Sequence, residues 1–268
     1  MRIQHNISAL NANRQLSGNN SAISKSLEKL SSGYRINRAG DDAAGLSISE
    51  KMRSQISGLN TAKKNAEDGI SLIQTAEGAL TEVHSMLNRM VELATQSANG
   101  IYEKSDREKI QSEVEALNLE ISRIAENTTF NGQTLLAAGN QTFQIGPQST
   151  DVIKVKLEDM SATGLSIHSL DVKTVTGSTD AITSINEAIN SVSKFRSELG
   201  AVQNRLEHTV NNLSVNSENL TAAESRIRDV DMAQEMMNYT KNNILTQAAQ
   251  SMLAQANQLP QGVLQLLQ

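Results

Sequence analysis

Cysteine is absent from this 268-residue chain, which excludes disulfides, thiolate metal sites and a cysteine nucleophile. Tryptophan is absent too, and three Tyr and three Phe are the whole aromatic content. Cores usually draw much of their buried area from aromatic rings. Here Leu, Ile, Val, Met and Ala must fill the interior. Only Pro147 and Pro260 can interrupt a helix by their ring. No stretch approaches the 18 or so consecutive apolar residues of a membrane span, and the N-terminus has no apolar signal core. Membrane insertion is therefore not expected. If the chain leaves the cell, it uses a route that removes no such signal.

A strong net charge is also missing. The formal value of −5 conceals an uneven distribution. Residues 1–40 hold Arg2, Arg14, Lys25, Lys29, Arg35 and Arg38 against Glu28 alone, whereas residues 232–268 hold only Glu235 and Lys241. The acidic excess lies between them. The basic start raises nucleic-acid binding as a function. Tyr34 is its single aromatic and the chain is acidic overall, so a charge-mixed packing surface is the better reading and no nucleic-acid partner is expected.

Catalytic constellations are missing as well. His5, His84, His168 and His208 are scattered, with no His, Cys or carboxylate at metal-ligand spacing. His84 falls on a heptad position and reads as a structural histidine. Gly40 to Gly45 has the glycine spacing of a phosphate loop, but Leu46 follows where the lysine that meets the phosphates would stand, and no strand is expected before the loop. Asp41 and Asp42 read as the charged start of a helix rather than an acid–base pair. No enzyme and no cofactor is expected.

What is present is periodicity. Ile185, Val192, Leu199, Leu206, Leu213, Leu220 and Ile227 recur every seven residues. Ile182, Ile189 and Val210 take the second seam position, alternating with Arg196, Gln203, Ser217 and Glu224. This predicts a coiled-coil helix over about 180–228, with Asp180 as N-cap, roughly 70 Å long. A second seam runs Ile110, Val114, Leu117, Ile121, Ile124, with Ser105 and Glu108 as its expected capping box. A third has Ala66, Ile73, Leu80, Leu87 and Ala94 at one position. Ile70 and Val91 hold the other, interrupted by Glu77 and His84. Three such seams can bury one another in an antiparallel bundle.

The insert at about 130–179 reads differently. Asn131-Gly132 is a turn signal, and Phe143-Ile145 and Val152–Leu157 alternate as the strands of a β-hairpin. Residues 158–179 read as loop or short strand. The fold class expected is mainly α: a long antiparallel helical bundle with a small β-hairpin insert and paired N- and C-terminal helices.

The two ends carry apolar stripes with no evident partner in the bundle. Ile3, Ile7 and Leu10 form one, and Leu16, Ile23, Leu27 and Leu30 another out of phase with it. At the far end Leu245, Met252, Leu259 and Leu266 recur every seven, with Ala249, Ala256 and Val263 between them. Isolated amphipathic helices are marginal in water. The N-terminal stripe is the expected partner of the C-terminal one. Surface left over needs neighbours, so the ends are expected to order when copies pack together.

These residues carry a resemblance. The opening Met1 to Leu10, the stretch Leu30 to Leu46 (LSSGYRINRAGDDAAGL), Gly69 to Leu80, Leu199 to Leu206, Asn219 to Asp231, Met252 to Gln258 and Val263 to Leu267 resemble bacterial flagellin, over nearly the whole chain. The resemblance implies a structural subunit that polymerises into the flagellar filament for swimming motility. It is expected to be exported unfolded and added at the filament tip, giving an extracellular location. A hook–filament junction protein is the alternative. The implied domains are 1–42 and 229–268, halves of an inner tube, and 43–228, a rod. A short chain of this kind lacks the large outer domains of bigger members. The implied partners are further copies, an export chaperone on the C-terminal helix, and the filament cap and hook-junction proteins. A host Toll-like receptor is also implied, contacting Arg89, Glu92, Leu93, Gln96 and Glu113; Val91 stands where many recognised members carry Arg.

Overall fold

The computed structural model describes residues 6–266, and for 259–266 the backbone alone. In chain order the elements are α1 (Ile7–Ser32), α2 (Ala43–Ala98), α3 (Lys104–Asn127), β1 (Thr129–Phe130), β2 (Gln133–Thr134), β3 (Gly139–Gln144), β4 (Val152–Leu157), α4 (Val175–Arg228) and α5 (Met232–Leu266). The chain divides into two compact units, one running through Ile56 and resuming at Glu218, the other Ser57–Ser217.

The Ser57–Ser217 unit holds the main core. Most seven-residue anchors behave as their spacing predicts: Ala66, Ile73, Leu80, Leu87 and Ala94 of α2 are buried, as are Ile185, Val192, Leu199, Leu206 and Leu213 of α4, while Leu220 and Ile227 are half-buried. From α3, Ile110, Val114 and Ile121 are buried. Direction follows from side-chain contacts. Arg196 of α4 lies 3.4 Å from Glu77 of α2, and Ser217 donates to Asn60 at 3.0 Å. Arg89 of α2 meets Glu113 of α3 at 3.0 Å, so both partners run antiparallel to α2.

The second seam position differs from the sequence expectation. Ile70 and Val91 on α2, and Ile182, Ile189 and Val210 on α4, are half-buried flanks. The buried companions lie one residue earlier, at Gly69, Ala76, Val83 and Met90 and at Ala181, Ala188 and Phe195. Gly69, Ala76, Ala181 and Ala188 suit places where the close-packed interior has little room, while Val83, Met90 and Phe195 fill the rest of the row. A Cβ on Gly69 would stand 3.2 Å from the Phe143 ring and 3.3 Å from Leu206. The larger aliphatic residues then close over the edges of the seam. Glu77 and His84 are likewise off the seam. Glu77 uses its flank to meet Arg196, and His84 is half-buried with Nδ1 unpartnered.

Two helix starts also move. Helix α4 begins at Val175, five residues before Asp180, because the Thr174 hydroxyl accepts from the Gly177 N–H at 3.1 Å and caps the first turn. Asp180 lies inside the helix. Helix α3 begins at Lys104, and the Glu103 carbonyl accepts from the N–H groups of Asp106 and Arg107. Ser105 is already past the cap, so the Ser105–Glu108 box does not form. Arg107 instead reaches back to the Ser97 and Asn99 carbonyls at 3.0 and 3.2 Å, satisfying the C-terminal end of α2.

The insert follows its turn chemistry. Asn131 and Gly132 have φ of 50° and 78°, the left-handed pair of a tight hairpin between β1 and β2. Strands β3 and β4 pair antiparallel from Gly139↔Leu157 to Gln144↔Val152, and Ile153, Val155 and Leu157 face the core. The hairpin lies against α2, where Asn65 donates to the Gln144 carbonyl at 3.1 Å. Residues 158–174 form turns without a strand, and Val175 onward is helix. Buried Gln111 of α3 holds this segment from both sides, donating to the Leu170 carbonyl at 3.0 Å and accepting from the Val172 N–H at 2.8 Å.

Candidate self-assembly surface

The other unit is built on α1 paired antiparallel with α5. Asn6 caps α1, its side chain accepting from the Ala9 N–H at 3.1 Å, and its Nδ2 donates across to the Ala256 carbonyl at 2.7 Å. At the opposite end Gly33 adopts the left-handed conformation, with φ 75°, and stops the helix. The chain there is held to the segment between α4 and α5. Arg35 N–H donates to the Arg228 carbonyl at 2.6 Å, and Val230 N–H donates to Gly33 at 3.0 Å. Asp231 caps α5, its carboxylate accepting from Ala233 and Gln234.

Arg228 organises this junction. Its guanidinium stacks 4.8 Å from the Tyr34 ring centroid and meets Glu50 at 2.7 Å. Its side chain is only 13% exposed, so this cation–π contact is better shielded than a surface pair. Nearby, Asp42 caps α2, accepting from Gly45 N–H at 2.8 Å. Asp41 accepts from the N–H groups of Arg38 and Asn37, which holds its carboxyl below the usual range. Its contribution to stability is present above the ordinary carboxylate range and is lost as pH falls through the lowered value.

Which side chains form the α1–α5 seam departs from expectation. On α1 the inward positions are Asn6, Ala9, Ala12, Leu16, Asn19, Ile23, Ser26 and Leu30. On α5 they are Tyr239, Asn242, Thr246, Ala249, Leu253 and Ala256. The spacing is heptad-like, but most of these residues are small or polar. Leu16, Ile23, Leu30, Tyr239 and Leu253 are the larger members of the seam, and several other bulky residues face away. Ile7 is 61% exposed, Leu10 60% and Leu27 48%; on α5, Leu245 and Met252 are 42% and 63% exposed. Ile7, Leu10, Leu27, Leu245 and Met252 therefore lie outside the seam, whereas Leu16, Ile23 and Leu30 of α1 and Ala249 and Ala256 of α5 lie within it. Small side chains let the backbones approach closely, and a seam of Asn, Ser and Thr keeps its polar groups near hydrogen-bond partners. Thr246, for example, is buried and donates to the Asn242 carbonyl. Ile3 lies outside the described residues, as do the side chains of Leu259, Val263 and Leu266.

The expected receptor residues sit in the Ser57–Ser217 unit. Three of them form one charged group: Arg89 meets Glu92 and Glu113, each at 3.0 Å. Hydrogen bonds that Arg89 donates to Glu92 and to Glu113 raise its pKa. Gln96 donates to the Tyr102 hydroxyl at 3.1 Å. Leu93 is buried in the core and presents no surface. The Tyr34–Arg228 contact and the small-residue seam were not found from the sequence. The seam has a signal in hindsight, an Ala/Asn/Ser repeat at 3-4 spacing, but one that hydrophobic periodicity overlooks.

Among the described residues no helix is long and apolar enough to cross a membrane. The bacterial flagellin N-terminal helical region matches residues 3–142, and the bacterial flagellin C-terminal helical region matches residues 182–267. The flagellin of Bacillus subtilis (strain 168) is 55% identical over 303 residues, covering both chains in full. The flagellin of Halalkalibacterium halodurans is 55% identical over 271 residues, again covering both in full. Among solved structures, the crystal structure of Bacillus cereus flagellin aligns with a TM-score of 0.52 at 30% identity, covering 60% of this chain and 94% of that one. Matches of this length set the hook–filament junction alternative aside. The two family models and the full-length relatives decide the family: the chain belongs to the bacterial flagellins, as a structural subunit of the extracellular flagellar filament rather than an enzyme.

Proposed function

We propose that the α1–α5 pair is the element that drives polymerisation. Its seam, mostly small and polar, holds the two helices together within one copy, and its outward Ile7, Leu10, Leu27, Leu245 and Met252 pack against neighbouring copies. Leu30, half-buried within the seam, takes part through its remaining surface. The observation that carries this reading is the exposure of Ile7 and Leu10, about three-fifths each, on a helix whose inner face is already filled. Water-exposed aliphatic area of this kind is stabilised by burial, at roughly 25 cal/mol per Å². Ile3, Leu259, Val263 and Leu266 continue the same stripes in sequence and belong to the same surface in this reading.

The division of labour follows. Residues 43–228 form the rod and 1–42 with 229–268 the inner tube. The rod carries its own core, so the ends are free to stay unfolded during export and to order at the filament tip. Before assembly the stripe from Leu245 to Leu266 is the site for a cytoplasmic export chaperone. Cap and hook-junction proteins meet the same terminal helices at the two ends of the filament. The group of Arg89, Glu92, Gln96 and Glu113 is the surface a Toll-like receptor would read, with Leu93 supporting it from beneath.

Substituting both Ile7→Asp and Leu10→Asp tests the central element. Both positions are solvent-facing, so the monomer keeps its helical circular dichroism. Seeded with filament fragments, it is expected not to elongate. Elongation at the unmodified rate would remove the outward face from the account.

A further inference from the structure

Methionine is the only sulfur residue in this chain. Its placement is uneven. Met90 and Met160 are buried, and Met52 and Met86 are half-buried. Met232, Met236, Met237 and Met252 are between 49% and 66% exposed, and all four lie on α5. Leucine would supply comparable apolar area at these positions without thioether chemistry.

We infer that these four methionines are an oxidation site on the assembly face, through which peroxide disables the free subunit reversibly. The inference rests on the proposed reading that the outer face of α5 packs against other copies. The thioether sulfur attacks one oxygen of hydrogen peroxide, the O–O bond breaks, and the departing hydroxide takes up the proton as water. One thioether and one peroxide give one sulfoxide and one water; sulfur loses two electrons and the peroxide gains them. The product is a polar side chain with a strong acceptor oxygen in place of an apolar one. On a solvent-facing helix the change is tolerated. In a contact that must be desolvated, the sulfoxide oxygen is buried without a donor, which opposes association. Once copies have packed, the same sulfurs are covered and the filament is protected. The thioether returns by two-electron reduction, with a thiol-dependent methionine sulfoxide reductase as the reductant.

The test uses the full-length subunit and hydrogen peroxide. Peptide mass spectrometry is expected to find sulfoxide at Met232, Met236, Met237 and Met252 before Met52, Met86, Met90 and Met160. The critical concentration for seeded elongation should then rise by about tenfold or more. Reductase treatment should restore it. Preformed filaments should oxidise more slowly at the four positions. The critical concentration of the quadruple variant M232L/M236L/M237L/M252L, measured against its own untreated protein, should not change with peroxide. Subunits that carry the four sulfoxides yet elongate like untreated protein would overturn the inference. So would a quadruple leucine variant that loses elongation under peroxide to the same degree. Ile244→Asp, on the same helix and 60% exposed, separates the two levels. If it blocks elongation while sulfoxides do not, the oxidation site fails and the packing reading stands. If it elongates normally, the packing reading itself fails.

Discussion

Deleting residues 1–30 leaves a folded helical monomer that does not extend filament seeds. The folded part is expected to survive because the core of the Ser57–Ser217 unit is internal to it. Ala66 through Leu206, the β4 residues Ile153, Val155 and Leu157, and the loop residues Met160 and Ile167 form one buried cluster, and α1 contributes nothing to it. Assembly is expected to be lost for two reasons. The deletion removes Ile7, Leu10 and Leu27 directly. It also removes the seam partner of α5, leaving Thr246, Ala249 and Ala256 without the helix that covers them. A single amphipathic helix without a partner is marginal in water, so the surface of α5 would no longer be presented in order. Circular dichroism reports the first half of this outcome, and sedimentation with electron microscopy the second. Filaments from the truncated chain would contradict it.

The second large effect lies in the rod. Phe195→Ala should destabilise the chain by about 3–5 kcal/mol, measured by urea unfolding. Phe195 is completely buried on the inner face of α4, in the same unit as Ala188, Val192 and Leu199. Its ring is the largest side chain among those fully buried, and the surrounding Ala and Val residues cannot expand to fill the space it leaves. Leu119→Ala, at 73% exposure on α3, is the control and should change stability by less than about 0.5 kcal/mol. A loss at Phe195 as small as that control would mean the seam is misassigned.

Phe195 also marks where sequence reasoning stopped. The residues at strict seven-residue spacing from Ile185 to Leu213 were legible because a repeating large aliphatic side chain is what hydrophobic periodicity detects. The companion positions were not, because Gly69, Ala76, Ala181 and Ala188 carry little hydrophobic signal and leave Val83, Met90 and Phe195 without a visible repeat. Weighting by hydrophobicity moved the second seam by one residue, onto Ile70 and Ile182. The same bias explains the terminal helices. The stripes of Ile7, Leu10, Leu245 and Met252 were visible as apolar repeats. Their direction was not, since Ala9, Ala12, Asn19 and Ser26 carry little hydrophobic signal and yet form the inner face. Two helix starts were misplaced by cap-like residues, Asp180 and Ser105, when Thr174 and the Glu103 backbone do the capping. The β3–β4 hairpin was legible from the alternation of Phe143-Ile145 and Val152–Leu157, and Asn131-Gly132 marked the turn of the separate β1–β2 pair. The Arg228–Tyr34 junction, more than 190 residues apart in sequence, has no local pattern to find.

The chain's lack of cysteine makes its central claim directly measurable, because an introduced thiol is unique. Leu10→Cys and Leu245→Cys place one thiol each on the outward faces of α1 and α5, where both positions are exposed in the single subunit. Maleimide labelling of the monomer and of seeded filaments made from it compares the two states. If the outward faces pack between copies, both thiols label readily in the monomer and at least about tenfold more slowly in the filament, the loss expected when a reactive thiol is buried. Equal labelling rates in monomer and filament would show that these faces remain open to water and that something else holds the copies together.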